Sequence, residues 1–225
     1  MDSILQTNQL GRAFPVADGD PFWALKNISL SIPCGKLTIL KGKSGSGKTT
    51  LLNLLGALDR PTEGNVCFDG QDLSQLSDAE LGTLRRKNIG FVFQSVALIP
   101  MMNAYENVEF ALRLAGIRGD RRPRTEECLK LVGLGARMDH MPQELSGGEQ
   151  QRVAIARAIA HKPRVIFADE PTAELDTNTG LQVVKIFREL TAAEGLTFVM
   201  TTHDTGLMEL GDRVYELEDG ELVNG

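Results

Sequence analysis

The chain contains 225 residues, with 24 lysines and arginines against 30 aspartates and glutamates, and its formal net charge is −6. Its apolar share of 42% and charged share of 24% are typical of a globular protein and exclude a disordered or fibrous chain. The acidic balance disfavours a nucleic-acid-binding protein, because such proteins gain much of their affinity by neutralising phosphate charge.

No part of the sequence has the ~20 mostly apolar residues that a membrane-spanning helix needs. The cysteines Cys34, Cys67 and Cys128 are odd in number and lack CxxC spacing, which argues against a disulfide framework or a zinc site. We therefore expect one domain over residues 1–225 in a reducing, cytoplasmic compartment, with any membrane association made through a partner.

The first third of the chain is predicted to be rich in β-strands. Apolar and polar residues alternate over 25–32, as in a half-buried strand, and short apolar runs occupy 37–40 and 66–68. Asp69-Gly70 is a turn signal after the last of these runs. The middle of the chain is predicted to be helical, with helices over about 106–115 and 125–132.

The last third alternates between strands and helices. We predict strands over 165–168 and 196–201, a helix over about 179–194, and a hairpin over 215–223 with Asp219-Gly220 at its turn. Strands that alternate with helices indicate an α/β fold with a mostly parallel central sheet.

The phosphate loop, residues 42–49, reads GKSGSGKT and fits the pattern G-x-x-x-x-G-K-[ST] at every position. Leucines at 51, 52, 54, 55 and 58 predict a following helix with one buried face. Glycines let phosphate oxygens approach the backbone, and the N–H groups at the helix start bind the anion. Lys48 would reach the β- and γ-phosphates, and the Thr49 hydroxyl is a candidate Mg²⁺ ligand.

The acid pair, Asp169 and Glu170, directly follows the predicted strand over 165–168. Ligands of open α/β sheets bind beside the carboxyl ends of the strands, so both carboxylates are expected in the site. Asp169 would hold Mg²⁺ through water, and Glu170 would orient or deprotonate the attacking water.

The signature run, residues 145–152, reads LSGGEQQR and opens a helix that is predicted to continue to about residue 161. Its free N–H groups would form a second anion site. Together with the phosphate loop, this run resembles the signature of ABC-type ATPases. Gln94 matches the Q-loop glutamine of that family, 165–170 its Walker B strand, 173–176 its D-loop and His203 its switch histidine.

The resemblance implies a P-loop NTPase (RecA-like) core with an N-terminal antiparallel β subdomain and an inserted α-helical subdomain. The core would occupy about 1–93 and 160–225, and the helical subdomain about 94–159. It also implies a head-to-tail dimer of two copies. Each ATP would lie between the phosphate loop of one copy and the signature run of the other, so that Ser146 and Gly148 contact the γ-phosphate held by the partner's Lys48.

The implied cofactors are ATP and Mg²⁺. Residues expected to act in catalysis are Lys48, Gln94, Glu170 and His203, and those expected to bind the metal are Thr49, Gln94 and Asp169. Residues expected to contact the nucleotide are Phe14, Gly42, Lys43, Ser44, Gly45, Ser46, Gly47, Lys48, Thr49, Thr50, Gln94, Ser146, Gly147, Gly148, Glu149, Asp169, Asp176 and His203.

Two positions leave alternatives open. Phe14 is the preferred residue for stacking on adenine, but Phe22 and Trp23 lie nearby and compete with it. Lys43 stands where many members of the family carry an uncharged residue. A second lysine would raise the positive potential of the loop, and its contact with nucleotide is left open.

Residues 84–95 and the following segment resemble the branch that serves lipoprotein release, macrolide export, antimicrobial-peptide defence and cell division (the LolD, MacB and FtsE types). The resemblance implies an ATP-hydrolysing transport subunit on the inner face of the cell membrane, held there by separate permease subunits. The alternative is a signalling ATPase that drives a membrane partner without transport. The signature run argues against a GTPase or a small-molecule kinase.

The segment over 96–105 crowds apolar side chains around Pro100. It either packs inside the helical subdomain or forms a groove for a helix of the membrane subunit, in which methionine supplies adaptable contact.

Overall fold

The computed structural model describes residues 3–17 and 19–224. Met1, Asp2, Asp18, Gly225 and the side chain of Thr205 lie outside the described part, and with them both ends of the domain predicted over 1–225.

The strands are β1 (Ser3–Phe14), β2 (Phe22–Ile28), β3 (Ser31–Pro33), β4 (Leu37–Lys41), β5 (Glu63–Phe68), β6 (Gln71–Asp72), β7 (Ile89–Val92), β8 (Val165–Ala168), β9 (Thr197–Thr202), β10 (Arg213–Glu218) and β11 (Glu221–Asn224). The helices are α1 (Lys48–Leu55), α2 (Asp78–Asn88), α3 (Ala104–Leu114), α4 (Arg122–Leu131), α5 (Gly147–Ile159), α6 (Thr177–Glu194) and α7 (Thr205–Met208).

The central sheet has the order β11-β10-β4-β9-β8-β7. Its strands from β10 to β7 are parallel, and β11 is antiparallel to β10. Every residue of β8 and β9 is buried, as expected for parallel strands covered on both faces. The α/β fold with a mostly parallel central sheet is therefore confirmed.

A second, antiparallel sheet has the order β2-β1-β5-β6, with β3 also paired to β1. The prediction of a single strand over 25–32 is wrong, because the chain divides there into β2 and β3. The Thr7 hydroxyl of β1 occupies the interruption: it donates to the carbonyl of Ile28 at 2.9 Å and accepts from the N–H of Leu30 at 3.0 Å. This side chain replaces ladder hydrogen bonds, and neither Ile28 nor Leu30 is left unsatisfied.

The helix after the phosphate loop is shorter than predicted. It ends at Leu55, and four of the five leucines are buried, but Leu58 is 45% exposed. Gly56 caps the helix and Ala57 adopts a φ of +56°, which turns the chain away before Leu58. The prediction that Leu58 shares the buried face is therefore wrong.

Helices α3, α4 and α5 share one hydrophobic core that includes Val108, Leu112, Leu129 and Val153. Helix α3 begins with a capping box in which Asn103 and Glu106 satisfy each other's backbone N–H groups. Among residues 3–17 and 19–224, no helix combines the length and the apolar character required to cross a membrane.

Helix α5 lies against β7 at unusually close range. A Cβ atom added to Gly90 would lie 2.5 Å from the Ala158 carbonyl oxygen, so only glycine fits there. The His161 Nε2–H also donates to the carbonyl of Ile89 at 3.0 Å. The helix that starts at the signature run is thereby fixed to the strand that leads to Gln94.

We predict that Gly90→Ala lowers the unfolding free energy by about 1–3 kcal/mol, because the new methyl group must push α5 away from β7. Gly82→Ala is the matched control: in α2 the same methyl group would meet only the Arg85 side chain, at 3.8 Å. That substitution is expected to raise the unfolding free energy by about 0.5–1 kcal/mol. Equilibrium urea unfolding measures both, and a Gly90→Ala variant as stable as the parent would contradict the packing argument.

Candidate active site

The phosphate loop joins β4 to α1, and two of its glycines are required by the backbone. Gly42 has a φ of +154°, and a Cβ atom there would lie 2.4 Å from the Leu217 carbonyl oxygen. Gly47 has a φ of +100°, and its Cβ atom would lie 2.6 Å from the Ala24 carbonyl oxygen. The loop can therefore curl tightly and direct N–H groups into its centre.

Lys48 is the first residue of α1, and its side chain is only 5% exposed. Its Nζ donates to the carbonyl oxygens of Gly42 at 2.8 Å and Lys43 at 3.0 Å, and it lies 3.7 Å from Glu170 Oε1. A largely desolvated ammonium group is thus held across the loop, where it can bind an anion. The Lys43 side chain is exposed and is not among the cavity-lining residues.

The acid pair meets the phosphate loop at the carboxyl end of β8. The Thr49 hydroxyl donates to Asp169 Oδ1 at 3.1 Å. Glu170 Oε2 lies 3.2 Å from Nδ1 of His203, which follows β9. The structure therefore brings Lys48, Thr49, Asp169, Glu170 and His203 together, as the sequence predicts.

Thr201, which is fully buried in β9, also belongs to the site but was not predicted from the sequence. Its hydroxyl donates to Asp169 Oδ1 at 2.7 Å and accepts from the N–H of Glu170 at 2.8 Å. The only available signal was its position two residues before His203, which places it near the carboxyl end of a strand.

A cavity of about 520 Å³ opens beside the phosphate loop. It is lined by Phe14, Phe22, Ala24, Ser44, Gly45, Gly47, Lys48, Thr49, Thr50, Gln94 and Glu170. Ser46 is buried behind the loop, where its Oγ would meet a Cβ atom on Gly42 at 2.5 Å.

The aromatic side of the cavity is formed by Phe14 and Phe22, which lie opposite each other across β1 and β2. Phe14 is 36% exposed, and the Arg12 guanidinium lies 4.6 Å from the centre of its ring. Trp23 is excluded from this face because neighbouring residues of a strand point in opposite directions. Its ring instead contacts Gly11, where an added Cβ atom would lie 3.0 Å away.

The signature run forms the N-terminus of α5. Ser146 is the N-cap, and its hydroxyl accepts from the N–H of Glu149 at 3.3 Å. Hydrogen bonds from the backbone N–H and hydroxyl of Ser146 lower the pKa of Glu149. A carboxylate this close to the helix start remains charged and stabilises the first turn.

Gly148 connects the signature run to the D-loop. A Cβ atom on Gly148 would lie 2.4 Å from the methyl carbon of Thr179. The Thr179 hydroxyl donates to Asp176 at 2.6 Å, and this hydrogen bond is the main cause of a lowered pKa at Asp176. Gly147 lies beside Leu175, so the signature and D-loop residues form one cluster.

The cluster of signature and D-loop residues is separate from the cavity. Within the described part of the chain, no cavity-lining residue belongs to the signature run or to the D-loop. The phosphate loop and the signature run, the two expected anion sites, thus lie at separate places in one chain.

The candidate metal ligands suit Mg²⁺. Thr49, Gln94 and Asp169 all offer oxygen atoms, which this hard cation prefers. In residues 3–17 and 19–224 there is no group of three or more His, Cys, Asp or Glu side chains that could hold a metal ion.

Comparison with known proteins places the chain in a family. The ABC transporter family matches residues 25–173, which is more than half of the chain. An ABC transporter ATP-binding protein of Methanocaldococcus jannaschii, MJ0796, is 47% identical over 205 residues, which cover 89% of this chain and 87% of that protein. The macrolide export ATP-binding/permease protein MacB of Rhodopirellula baltica is 45% identical over 96% of this chain, but this chain spans only 32% of MacB.

Solved structures of ATP-binding cassette proteins are similar to this chain over nearly its whole length. A dimeric post-hydrolysis state of MJ0796 bound to ADP and phosphate superposes with a TM-score of 0.89 at 42% identity, and covers 98% of this chain and 97% of that one. The protein cbiO1 of Clostridium perfringens, part of the transporter complex cbiONQ, has a TM-score of 0.89 at 30% identity. The match covers 100% of this chain and 88% of cbiO1. The chain therefore belongs to the ABC transporter family. It is an ATP-binding subunit of that family, and it hydrolyses ATP.

We predict that Phe14→Ala weakens ATP binding about tenfold, because aromatic stacking on a base contributes ~1–3 kcal/mol. Phe14→Tyr preserves the ring and is expected to bind as the parent does. Trp23→Phe is the matched control, since Trp23 packs against Gly11 on the other face. Titration with a fluorescent ATP analogue measures all three. A larger loss in Trp23→Phe than in Phe14→Ala would refute the assignment.

Proposed function

We propose that two copies of this protein hydrolyse ATP in a head-to-tail dimer and drive separate membrane permease subunits. The observation that carries this proposal is that, within one chain, the cavity is separate from the cluster of signature and D-loop residues. A second copy can supply the missing surface to each ATP. The dimeric MJ0796 structures support this arrangement.

In the proposed site, Lys48 and the N–H groups of the phosphate loop bind the β- and γ-phosphates. Thr49, Gln94 and Asp169 would hold Mg²⁺, which would neutralise phosphate charge. Phe14 stacks on adenine. The largely buried position of Lys48 strengthens its attraction to the phosphates, because little water competes for the ammonium group.

Glu170 is proposed to accept a proton from the attacking water or to orient it. His203 lies beside its carboxylate and is proposed to contact the γ-phosphate. The signature helix, α5, of the second copy presents Ser146, Gly147 and Gly148 to the same phosphate. The positive end of this helix stabilises the negative charge there. Because ATP contacts both copies, its binding closes the dimer and its hydrolysis opens it.

The membrane subunit is proposed to dock beside Met101, which is 87% exposed. The fully buried Asn107 holds the docking segment, residues 96–105: its amide donates to the carbonyls of Ile99 and Met102 at 3.2 and 2.8 Å. Arg157 of α5 donates to the carbonyl of Ala97 at 2.7 Å. The docking segment is therefore connected to the signature helix, which supports transmission of movement between them.

We propose that the protein lies on the inner face of the cell membrane as a peripheral subunit, held there by the membrane subunit. The helical subdomain over about 94–159 would then contain both the docking segment and the signature run, and would move as one unit against a core over about 1–93 and 160–225.

We predict that Glu170→Gln binds ATP and forms a stable dimer, but hydrolyses ATP at least about 100-fold more slowly, the usual contribution of a general base. Lys48→Ala is expected to lose ATP binding and therefore dimerisation. Size-exclusion chromatography with ATP and a phosphate-release assay measure the two properties. A Glu170→Gln variant that stays monomeric with ATP while hydrolysing normally would overturn the proposed function.

We predict that Met101→Asp reduces co-purification of membrane subunits from native membranes at least about tenfold, because a charge replaces an exposed apolar anchor. Val223→Asp, at an exposed position of β11, is the matched control. The ATPase activity of the isolated protein should be unchanged in both variants. If Met101→Asp co-purifies with membrane subunits as fully as the parent does, the docking proposal is contradicted.

A further inference from the structure

Thr201 has no role in the predicted site, although its hydroxyl contacts both members of the acid pair. The side chain is fully buried in β9, the strand next to β8, and Asp169 directly follows β8. Its neighbour Thr202 turns the other way, and its hydroxyl accepts from the N–H of Asp204 at 3.0 Å.

The direction of the hydrogen bonds is fixed by chemistry. A backbone N–H can only donate and a carboxylate can only accept, so the single proton of the Thr201 hydroxyl points to Asp169 Oδ1. The resulting chain runs from the N–H of Glu170 through Thr201 to Asp169. Because Thr49 donates to the same Oδ1 at 3.1 Å, two hydroxyl groups hold this carboxylate oxygen in position.

Glu170 needs this support more than an ordinary residue. Its φ is +41°, in the left-handed region that residues with a Cβ atom rarely adopt. This backbone conformation places its carboxylate 3.7 Å from Lys48 Nζ and 3.2 Å from His203 Nδ1. The hydrogen bond to Thr201 holds the N–H of the residue whose conformation is strained.

We propose that Thr201 is a positioning residue for ATP hydrolysis. Its hydroxyl sets the Asp169 carboxylate and the Glu170 backbone in one geometry, so that the carboxylates of Asp169 and Glu170 keep a fixed separation. The inference rests on the proposed roles of Asp169 and Glu170. Thr201 itself touches neither the nucleotide nor the attacking water in this proposal.

The decisive variant is Thr201→Val, which keeps the shape of the side chain and removes the hydroxyl. We expect kcat to fall about 10- to 100-fold, since small misplacements of catalytic groups cost rates of this order. The Kd for ATP is expected to stay within about twofold, because the phosphate loop is untouched. Thr201→Ser keeps the hydroxyl and should restore kcat to within about threefold of the parent.

Thr38→Val is the matched control. Thr38 is also fully buried, lies in the neighbouring strand β4, and its hydroxyl has no hydrogen-bond partner among the described residues. Its kcat is expected to match the parent. Thermal midpoints of all variants separate loss of stability from loss of catalysis, and Thr201→Ala removes the same hydroxyl if the valine variant does not fold.

A double variant, Glu170→Gln with Thr201→Val, tests the route of the effect. If Thr201 acts through Glu170, the double variant is hardly slower than Glu170→Gln alone. The inference is overturned if Thr201→Val hydrolyses ATP like the parent, if its ATP affinity falls as much as its kcat, or if Thr201→Ser is as slow as Thr201→Val. Normal hydrolysis by Glu170→Gln would instead overturn the proposed function, which keeps the two failures distinct.

Discussion

Parallel pairing of the central strands is the constraint on which the site depends. The register places Lys41 opposite Thr202, Met200 opposite Ala168, and Ala168 opposite Val92. The strands β4, β9, β8 and β7 therefore end at the same edge. The phosphate loop, the switch histidine, the acid pair and the Q-loop glutamine follow these strands within a few residues. Their proximity results from strand register and does not require long loops to fold back.

Helix α5 connects this edge to the rest of the molecule. Its first turn contacts Thr179 beside the D-loop, Arg157 holds the docking segment, and Ala158 lies against Gly90 of β7. A rigid helix transmits displacement along its length, because its hydrogen bonds resist bending. The proposed closure of the dimer on ATP would thus reach the docking segment through one element.

Local patterns in the sequence predicted the phosphate loop, the acid pair and the strands β4 and β8, because each depends on neighbouring residues. The first strand β1 was not predicted, since Gln9 has a φ of +46° and register shifts interrupt its alternation. The division between β2 and β3 depends on Thr7, which lies over 20 residues away. The contacts of Thr201 were not predicted for the same reason, because its hydrogen bonds form only after β8 and β9 pair.

Although the net charge of the chain is −6, the phosphate loop holds a buried lysine that can bind a polyanion. Lys48 is fixed by two carbonyl oxygens of its own loop, and its contact with Glu170 is longer, at 3.7 Å. A phosphate can therefore take the place of the carboxylate beside Nζ without displacing the lysine. Glu170 in turn is held through its backbone by Thr201, independently of Lys48. Because separate hydrogen bonds hold the cation and the base, the arrival of nucleotide can weaken the ion pair between them and still leave both in place for hydrolysis.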